Sequence, residues 1–528
     1  MTEQRAATTD GGFAPLRQKL FAVLWVATVI GNTGSFIRDV ASAWLMTDLS
    51  ASPAAVAMVQ AAATLPVFLL AIPAGVLSDI LDRRRFLIGI QVLLGAVSIC
   101  LMLLSALGLQ SVASLIGLTF LGGVGAALIG PTWQAIVPEL VDKKDLKGAV
   151  ALNSLGINIA RAIGPALGGV VLASLGAAVT YGVDVISYVF VIAALLWWRR
   201  PAAREDDLSE QFLGAFRAGL RYARASRELH VVLIRAFFFF MLASSVWALL
   251  PLVARKLLGG GAGFYGLLLG AVGLGAIGGA LVMPRLRERL SPDGLVLTAA
   301  IVTAAVMLFL SFAPPQWAAL VALLALGAAW ISALTTLNGV AQSILPNWVR
   351  GRSLAVYLTV FNGAMTAGSL AWGGIASAIG VPLTLVAGAV GLVIVALASH
   401  RLKLPKGDAD LVPSNHWPEP LTAAPVEYDR GPVLILVEYR IDPTERPAFL
   451  ACLTRLSADR RRDGAYDWGV SEDASDPAVM LEWFKVESWA EHLRQHRRVS
   501  KAAADVQDEV LRFHRGDAPP IVRHLLSV

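Results

Sequence analysis

Four ionisable residues lie inside long apolar stretches of the sequence: Arg38, Asp39, Arg161 and Asp184. A charge at the centre of a bilayer costs about 3 kcal/mol on insertion scales, so such residues mark the pathway of a substrate or an ion by default. All four lie in the first half of the chain, and we expect the other long apolar stretches to lack charge. The pattern predicts that the protein moves something through a membrane and that its first half handles charge.

The best pairing among these residues is expected between Asp39 and Arg161. Arg161 lies near mid-depth of its stretch, where a guanidinium keeps its proton and needs an anion, either a carboxylate or the substrate. Arg38 and Asp39 diverge as neighbours on one helix and are expected to be poor partners. The Asp39–Arg161 couple would be either a proton switch that responds to conformation or a permanent ion pair. Asp184 lies close to the outer end of its stretch, where interfacial solvation is favoured over coupling.

The composition is that of a helical membrane protein with many spans. The 528 residues are 56% hydrophobic and 16% charged, with a mean hydropathy of +0.65, whereas soluble domains carry about 25% charged residues. Recurring apolar stretches predict about twelve spans. Basic residues gather in alternate loops, and the opposite loops carry only Arg255 and Lys256. This asymmetry predicts that both termini lie in the cytoplasm.

The predicted spans divide into two groups of six. Residues 1–198 and 230–400 are expected to form two helical bundles, joined by a cytosolic linker helix in 199–229. Related segments follow corresponding spans of the two groups, which indicates a parallel repeat. Residues 401–431 are rich in proline and predict a linker. Residues 432–528 show strand and helix patterns in the ferredoxin-like order β-α-β-β-α-β, and predict a cytosolic domain.

We expect no metal, no cofactor and no nucleic-acid partner. The two cysteines, Cys100 and Cys452, provide neither a disulfide framework nor a metal cluster. No G-x-x-x-x-G-K-[ST] segment occurs, so ATP-driven transport by this chain is not expected. His492 and His496 have the spacing of two metal ligands on one helix face. Without an evident third ligand, we interpret this pair as part of a charged helix face.

The segment GVLSDILDRRR, after the second predicted span, resembles motif A of the major facilitator superfamily. Gly75, Asp79, Arg83 and Arg84 match the motif, and Asp82 replaces its second glycine. Gly75 would permit close helix approach. The resemblance implies that the aspartate is a latch formed when the cytosolic side closes. The alternative is a basic turn that only enforces topology.

The segment ARAIGPALGG resembles motif C, which is typical of exporters in this superfamily. Gly164, Pro165, Gly168 and Gly169 match the motif. Small residues and a proline permit tight packing and bend the fifth span, which indicates either a seal at its outer end or only a packing kink. Thr119 stands where motif B has its arginine.

Segments such as AWLMTDLSASP and RDGAYDWGVSEDASDP are similar to the transmembrane secretion effector group, related to enterobactin-type siderophore exporters. The C-terminal residues are similar to the dimeric α+β barrel of antibiotic-biosynthesis-monooxygenase-like domains. The resemblance implies an all-α membrane protein of twelve helices in two six-helix bundles with a small α+β ferredoxin-like domain. It also implies a proton-coupled inner-membrane exporter of a siderophore, secondary metabolite or drug, working by rocker-switch alternating access.

The expected partners are a small-molecule substrate, protons and the lipid bilayer. The C-terminal domain is expected to pair two subunits or to sense load. Uptake rather than efflux, a membrane-tethered monooxygenase acting through the C-terminal domain, and an idle transporter body are the alternatives, but we expect a transporter and not an enzyme. Polar residues that either line a central cavity or join helices by hydrogen bonds are Asn32, Gln134, Asn153, Asn158, Asn338, Gln342 and Asn362.

Overall fold

The computed structural model describes residues 13–198, 212–346 and 348–527, apart from scattered positions between 409 and 423. The side chains at 76, 79, 80, 143 and 212–218 also lie outside this description. The chain forms two compact units. The membrane unit comprises Met1–Glu205, Ile234–Asn338 and Leu358–Lys403, and the tail unit comprises Asp206–Leu233, Gly339–Tyr357 and Leu404–Val528.

Twelve helices precede the C-terminal domain, and eleven of these described helices are long and apolar enough to cross a membrane. They are α1 (Lys19–Leu49), α2 (Pro53–Ile80), α3 (Arg83–Ala106), α4 (Val112–Leu140), α5 (Leu146–Trp197), α6 (Phe212–Ala225), α7 (Arg227–Leu252), α8 (Ala262–Arg289), α9 (Pro292–Ser311), α10 (Gln316–Ser343), α11 (Arg350–Ile379) and α12 (Val381–Ser399). The exception is α6, which lies within the predicted linker. The first part of that linker, 199–211, lies outside the described residues.

The difference between eleven helices and twelve predicted spans is explained by α5. Its 52 residues would extend about 78 Å as one helix, against about 30 Å for a bilayer core. Gly176 interrupts the helix with a φ of 80°, which a residue with a β-carbon adopts at a cost. The two segments on either side of Gly176 correspond to two predicted spans, so α5 has the length of two of them and the twelve crossings stay a prediction. The division into two bundles of six stays a prediction.

Polar side chains fix where several helices begin. Asp82, which stands in place of a motif A glycine, accepts a hydrogen bond from the Arg85 backbone N–H at 2.8 Å and caps α3. Ser111 and Ser114 form a reciprocal capping box at the start of α4. Such caps satisfy backbone donors that have no partner within the helix. Asp82 therefore has a structural reason to replace glycine.

Small residues allow the membrane helices to approach closely. A β-carbon at Gly123 of α4 would lie 2.7 Å from the backbone carbonyl oxygen of Ala63 in α2. A β-carbon at Gly275 of α8 would overlap the carbonyl of Leu324 in α10. Gly75 differs, because an added β-carbon there meets no described atom within 4 Å. The close approach expected at Gly75 is therefore wrong for this conformation.

The C-terminal domain is a four-stranded antiparallel sheet covered by helices. Its elements are β1 (Val433–Arg440), α13 (Arg446–Asp463), β2 (Asp467–Glu472), β3 (Val479–Val486), α14 (Trp489–Arg498), α15 (Lys501–Leu511) and β4 (Ile521–Leu526). The strand order β2-β3-β1-β4, with antiparallel pairing throughout, agrees with the predicted ferredoxin-like domain. The second predicted helix is divided in two. Ser500 accepts a hydrogen bond from the Ala503 N–H and starts α15.

The core of the C-terminal domain contains one fully buried carboxylate. Glu482 of β3 is 0% exposed and lies 3.2 Å from Nε of Arg460. The hydroxyl of Tyr439 and the indole N–H of Trp468 each donate to it at 3.0 Å. Removing one partner of a buried ion pair leaves an uncompensated charge. The domain therefore needs both Glu482 and Arg460.

The C-terminal domain contacts α6 and the segment before α11 within the tail unit. Glu491 of α14 lies 2.7 Å from Arg221 of α6 and 2.6 Å from Arg498. The Arg498 guanidinium lies 4.3 Å from the ring centroid of Trp348, which meets Tyr222 edge to face. Burial alone would raise the pKa of Glu491, but Arg498 and Arg221 bring it below the ordinary value. Charge pairing therefore fixes α14 to the linker helix.

Candidate functional site

Arg38 of α1 is the centre of a buried polar cluster in the membrane unit. Its Nη1 donates to the Tyr188 hydroxyl at 2.9 Å and lies 3.5 Å from Oδ2 of Asp184. Its Nη2 lies 3.1 Å from Oδ1 of Asp39. Arg38 is 9% exposed and Asp184 is 0% exposed. One guanidinium is therefore shared by two carboxylates that differ in exposure.

Four helices hold Asp184 and Arg38 in place. Ser98 of α3 donates to Oδ2 of Asp184 at 2.6 Å, and Ser187 of α5 donates to its Oδ1 at 3.4 Å. A β-carbon at Gly34 of α1 would lie 2.7 Å from Oδ1 of Asp184. Gly122 of α4 faces the guanidinium, because a β-carbon there would lie 3.7 Å from its Cζ atom. The charges thus have hydrogen-bond partners, and glycines provide the space.

Asp39 is the accessible member of the cluster. Its side chain is 55% exposed, against 11% for Arg38 and 0% for Asp184. Because its side chain is more than half exposed, Asp39 is open to water, whereas Asp184 is closed to it. Asp39 is therefore the member of the cluster that an ion or a substrate can reach.

Three expectations about these residues are wrong in this structure. Arg38 and Asp39 do pair, because the long arginine side chain returns so that Nε lies 3.3 Å from Oδ1. Asp184 is buried among hydrogen-bond donors and is not solvated at an interface. Arg161 donates to Oδ1 of Asn158 at 3.5 Å, one helical turn away, and the described residues offer it no carboxylate partner. Rotation of the helices about their axes decided these pairings.

The second half of the chain contains a buried charge that the sequence pattern did not predict. Arg235 of α7 is 3% exposed, forms an ion pair with Asp293 of α9 and donates to the Leu402 carbonyl at 3.2 Å. The expectation that the other apolar stretches lack charge was therefore wrong. Tyr188 was also missed, although it follows Asp184 by one helical turn and shares its face.

The predicted cavity residues differ widely in exposure. Asn362 of α11 is 8% exposed and donates to the Leu358 carbonyl at 2.8 Å, so it serves its own helix. Asn153 accepts a hydrogen bond from the Trp133 indole at 2.8 Å. The half-buried members are Asn32, Asn158 and Asn338, and the exposed members are Gln134 and Gln342. Cavity lining stays a prediction for these residues.

The motif A arginines connect helix ends in the first half of the chain. Arg83 Nη1 lies 2.7 Å from Oε1 of Glu139 at the end of α4. Arg84 donates to the carbonyls of Leu195 and Leu196 at 2.9 and 2.8 Å. Cations at the C-terminus of a helix satisfy free carbonyls and oppose its dipole. The side chain of Asp79 lies outside the described residues, so its role as a latch stays a prediction.

Motif C brings α5 into backbone contact with α1 and α8. A β-carbon at Gly168 would lie 3.0 Å from Cα of Ile37 in α1. A β-carbon at Gly169 would lie 2.6 Å from Cα of Gly266 in α8. Gly164 likewise packs on α1, and the Pro165 carbonyl faces Gly266. The motif therefore closes a contact between the two halves of the chain.

Charged and aromatic residues support the contact between halves at the same end. Arg255, which follows α7, forms an ion pair with Asp48 of α1 and lies 5.6 Å from the Trp44 ring centroid. Trp44 stacks on Tyr265 of α8 with ring centroids 5.9 Å apart. Lys256 donates to the Ala51 carbonyl at 3.0 Å. Arg255 and Lys256, the two basic residues of the sparsely charged loops, therefore both join the second half of the chain to the first.

Helices α2 and α11 form a second contact between the two halves of the chain. The hydroxyls of Thr64 in α2 and Thr366 in α11 lie 2.7 Å apart. The backbone N–H of Ala54 donates to the Ser377 hydroxyl at 3.1 Å. These contacts join the start of α2 to the end of α11. Both helix pairs therefore meet at the end of the membrane unit that contains the C-terminus of α1.

A family model described as "Transmembrane secretion effector" matches residues 10–528. The chain belongs to this family. The match includes the C-terminal domain, whose kinship to monooxygenase-like domains stays a prediction.

Curated relatives are transporters. The chain is 30% identical to "Enterobactin exporter EntS" of Salmonella choleraesuis over 61% of this chain and 77% of that protein. It is 28% identical to "Multidrug efflux pump Tap" of Mycolicibacterium fortuitum over 70% of this chain and 92% of that protein. It is 26% identical to "Staphyloferrin A transporter" of Staphylococcus aureus over 48% of this chain, and spans 64% of that relative's length.

Solved structures share the fold. A bacterial homologue of the human lysosomal transporter Spinster has a TM-score of 0.56 at 16% identity, covering 74% of this chain and 97% of that chain. A D-xylose–proton symporter has a TM-score of 0.57 at 16% identity, covering 75% and 99%. With the family match, these findings make the protein a multi-pass membrane transporter of the major facilitator type, a secondary active transporter. They give no support to the monooxygenase alternative.

We expect Arg38→Leu to destabilise the membrane unit, because Asp184 then lacks its buried cation. Breaking a buried pair costs about 3–5 kcal/mol, whereas an apolar replacement of both partners is often tolerated. Arg38→Leu/Asp184→Leu should therefore recover much of the loss in thermal midpoint measured in detergent. Arg446→Leu, which removes an exposed pair with Glu472, is the control and should cost less than about 1 kcal/mol. A double variant no more stable than Arg38→Leu would contradict this account.

Gly169→Val should force α5 away from α8, because a β-carbon has no room beside Gly266. Overpacking of this kind costs about 1–3 kcal/mol. We expect a lower thermal midpoint and faster passive proton entry into vesicles. Gly278→Val in α8, where a β-carbon meets no described atom within 4 Å, is the matched control. Equal behaviour of the two variants would show that the motif C contact does not limit leak.

Proposed function

We propose that the protein exports a small organic molecule from the cytoplasm across the inner membrane in exchange for protons. Family membership supports transport, and the named exporters and efflux pumps among its relatives support the direction. The observation that carries the proton part is the sharing of Arg38 between an accessible and a buried carboxylate. The cargo class, a siderophore, secondary metabolite or drug, rests on what those relatives are named for.

The loop charges support an orientation with both termini in the cytoplasm. In that orientation the C-terminus of α1 and the start of α2 face the outside. The contacts of Gly169 with Gly266 and of Asp48 with Arg255 then close the outer side. The described conformation is accordingly one in which cargo is loaded from the cytoplasm. Motif C acts in it as a seal between the halves.

Coupling follows from competition for one cation. When Asp39 is ionised, Arg38 is divided between Asp39 and Asp184. A proton on Asp39 removes one of the two anions, so Arg38 turns fully to Asp184. Ile37 and Val40, on either side of Arg38 and Asp39, lie next to Gly168 of motif C. Loss of the Asp39 charge therefore acts on the α1–α5 contact, which permits the outer side to open.

Arg161 is proposed to bind an acidic group of the cargo. It is half-buried in α5, and its Nη1 donates to the neutral side chain of Asn158 at 3.5 Å. A guanidinium in such a site favours an anion. Catecholate, carboxylate or phenolate groups of small metabolites have the required charge. Arg161 would then distinguish acidic cargo from neutral drugs.

The C-terminal domain is proposed to pair two subunits through the open face of its sheet. In the β1–β4 register, Leu434 lies opposite Leu525, and Glu438 lies opposite Ile521. Opposed residues project from the same face. Ile521 and Leu525 are 52% and 45% exposed on the edge strand β4. Exposed apolar residues beside a free sheet edge favour association with a second copy.

Proton antiport is tested with everted vesicles that hold an acid interior and receive siderophores or lipophilic drugs. We expect proton release by the wild type with one class of compound and its loss in Asp39→Asn. Asp142→Asn, in an exposed loop, is the matched control and should behave like the wild type. Full cargo-driven release by Asp39→Asn would overturn the role of Asp39. No release by the wild type with any compound would overturn proton-coupled export of these cargo classes.

Subunit pairing is tested by light scattering of the full chain in detergent. We expect the mass of two copies for the wild type and of one copy for Leu525→Glu, because a charge on the open face opposes its burial. Tyr428→Glu changes an exposed residue outside the sheet and should leave two copies. A wild type that remains a single copy at all concentrations would contradict the proposal.

A further inference from the structure

Three histidines of the C-terminal domain converge, although they are far apart in sequence. His492 and His496 lie one turn apart on α14, and their Nε2 atoms are 3.2 Å apart. His524 of β4 faces them, with its ring centroid 4.7 Å from that of His492. One nitrogen from each ring can be chosen so that all three lie within 4.8 Å of one another. The group therefore has the dimensions of a ligand set.

The distances can be compared with those of a bound ion. Imidazole nitrogens lie 2.0–2.1 Å from Zn²⁺, so two of them at a tetrahedral angle are about 3.3 Å apart. His492 and His496 already have this separation. To reach the same separation from the other two, the His524 nitrogen must move by about 1.5 Å at most, by the same geometry. His524 is half-buried, and a change of its side-chain torsion angles would supply a movement of this size.

The sequence pattern does not indicate a third ligand, and the fold explains why. His524 lies opposite the buried Ile435 in the β1–β4 register and so faces the helical layer. The strand order brings β4 beside β1, under α14, although 28 residues separate His496 from His524. Only the sheet topology makes these residues neighbours.

The three imidazoles are sheltered from solvent. His492 is buried, and His496 and His524 are half-buried. A neutral imidazole has the free lone pair that a metal requires. Trp489 lies against His492 and His524, with ring centroids 5.5 and 6.0 Å away, and shields this side from water.

We propose that His492, His496 and His524 form a binding site for a divalent first-row transition metal such as Zn²⁺. Imidazole ligands suit zinc, copper, nickel and cobalt rather than calcium or magnesium. Three protein ligands leave a fourth position for water or for a donor atom of another molecule. The bound ion would join α14 to β4. Because α14 also carries Glu491 and Arg498, occupancy would stiffen the helix that contacts α6.

The site is tested on the full chain, purified in detergent without a histidine tag and freed of metal with a chelator. Co²⁺ is the first probe, because its visible absorption reports coordination geometry, and Zn²⁺ is then used to displace it. We expect one ion per protomer, a visible band that Zn²⁺ abolishes, and a rise in thermal midpoint with Zn²⁺ concentration. Binding should not depend on whether cargo is present.

Variants separate the site from general histidine binding. His524→Gln and His496→Gln should each weaken Co²⁺ binding by at least about 100-fold, since loss of a ligand exceeds the 10–100-fold effect of an outer-shell change. His514→Gln is the matched control, because the ring nitrogens of His514 already engage the Arg440 N–H and the Ala518 carbonyl at 3.0 Å. The His514→Gln variant should bind Co²⁺ as tightly as the wild type. A thermal midpoint equal to that of the wild type, measured without metal, shows that a variant is folded.

Two results would overturn the site. The first is a wild type that binds no Co²⁺ or Zn²⁺ at millimolar concentration. The second is a folded His524→Gln variant that binds as tightly as the wild type, which would assign binding to the α14 pair or elsewhere.

Discussion

The charge of Arg38 is the constraint on which the first half of the protein depends. A guanidinium keeps its proton under all ordinary conditions, so an apolar environment must supply anions and hydrogen-bond acceptors for it. Asp39, Asp184 and Tyr188 do so. Gly34 and Gly122 remove the side chains that would occupy the same space. The need to satisfy one cation thus determines which faces of α1, α3, α4 and α5 meet.

The helix α5 connects this cluster to the contact between the halves of the chain. Its first segment carries the motif C residues from Gly164 to Gly169, which meet α1 and α8 through backbone atoms. Its second segment, after Gly176, carries Asp184 and Tyr188. Both segments pack on α1. Arg38 and Asp39 therefore lie between two residues of α1, Ile37 and Val40, that adjoin Gly168 of motif C.

The C-terminal domain also contains buried charges that are neutralised by ion pairs. Glu482 is fully buried and is paired with Arg460 inside the sheet-and-helix core. Glu491 is paired with Arg221 and Arg498, and so joins α14 to the linker helix α6. His492 lies three residues after Trp489 and one after Glu491, and its ring faces His524 of β4. One short helix thus carries both the contact to α6 and the histidine cluster.

The sequence by itself determined the membrane class, the positions of the long apolar helices and the order of elements in the C-terminal domain. These properties follow from hydrophobic run length and from the period of apolar residues, which are local. It also identified the family through the residues of motifs A and C. Four of the charged positions that matter were found because a charge stands out against an apolar run.

Only the tertiary structure decided which charges pair. The partner of Arg38 depends on the rotation of α1 and α5 about their own axes, and a sequence leaves that rotation open. For this reason the sequence predicts Asp39 beside Arg161 and Asp184 at the interface, whereas the structure places both carboxylates beside Arg38. The third histidine was missed for a related reason, because sheet register brings His524 under α14. Contacts between elements distant in sequence are set by packing, which no local pattern records.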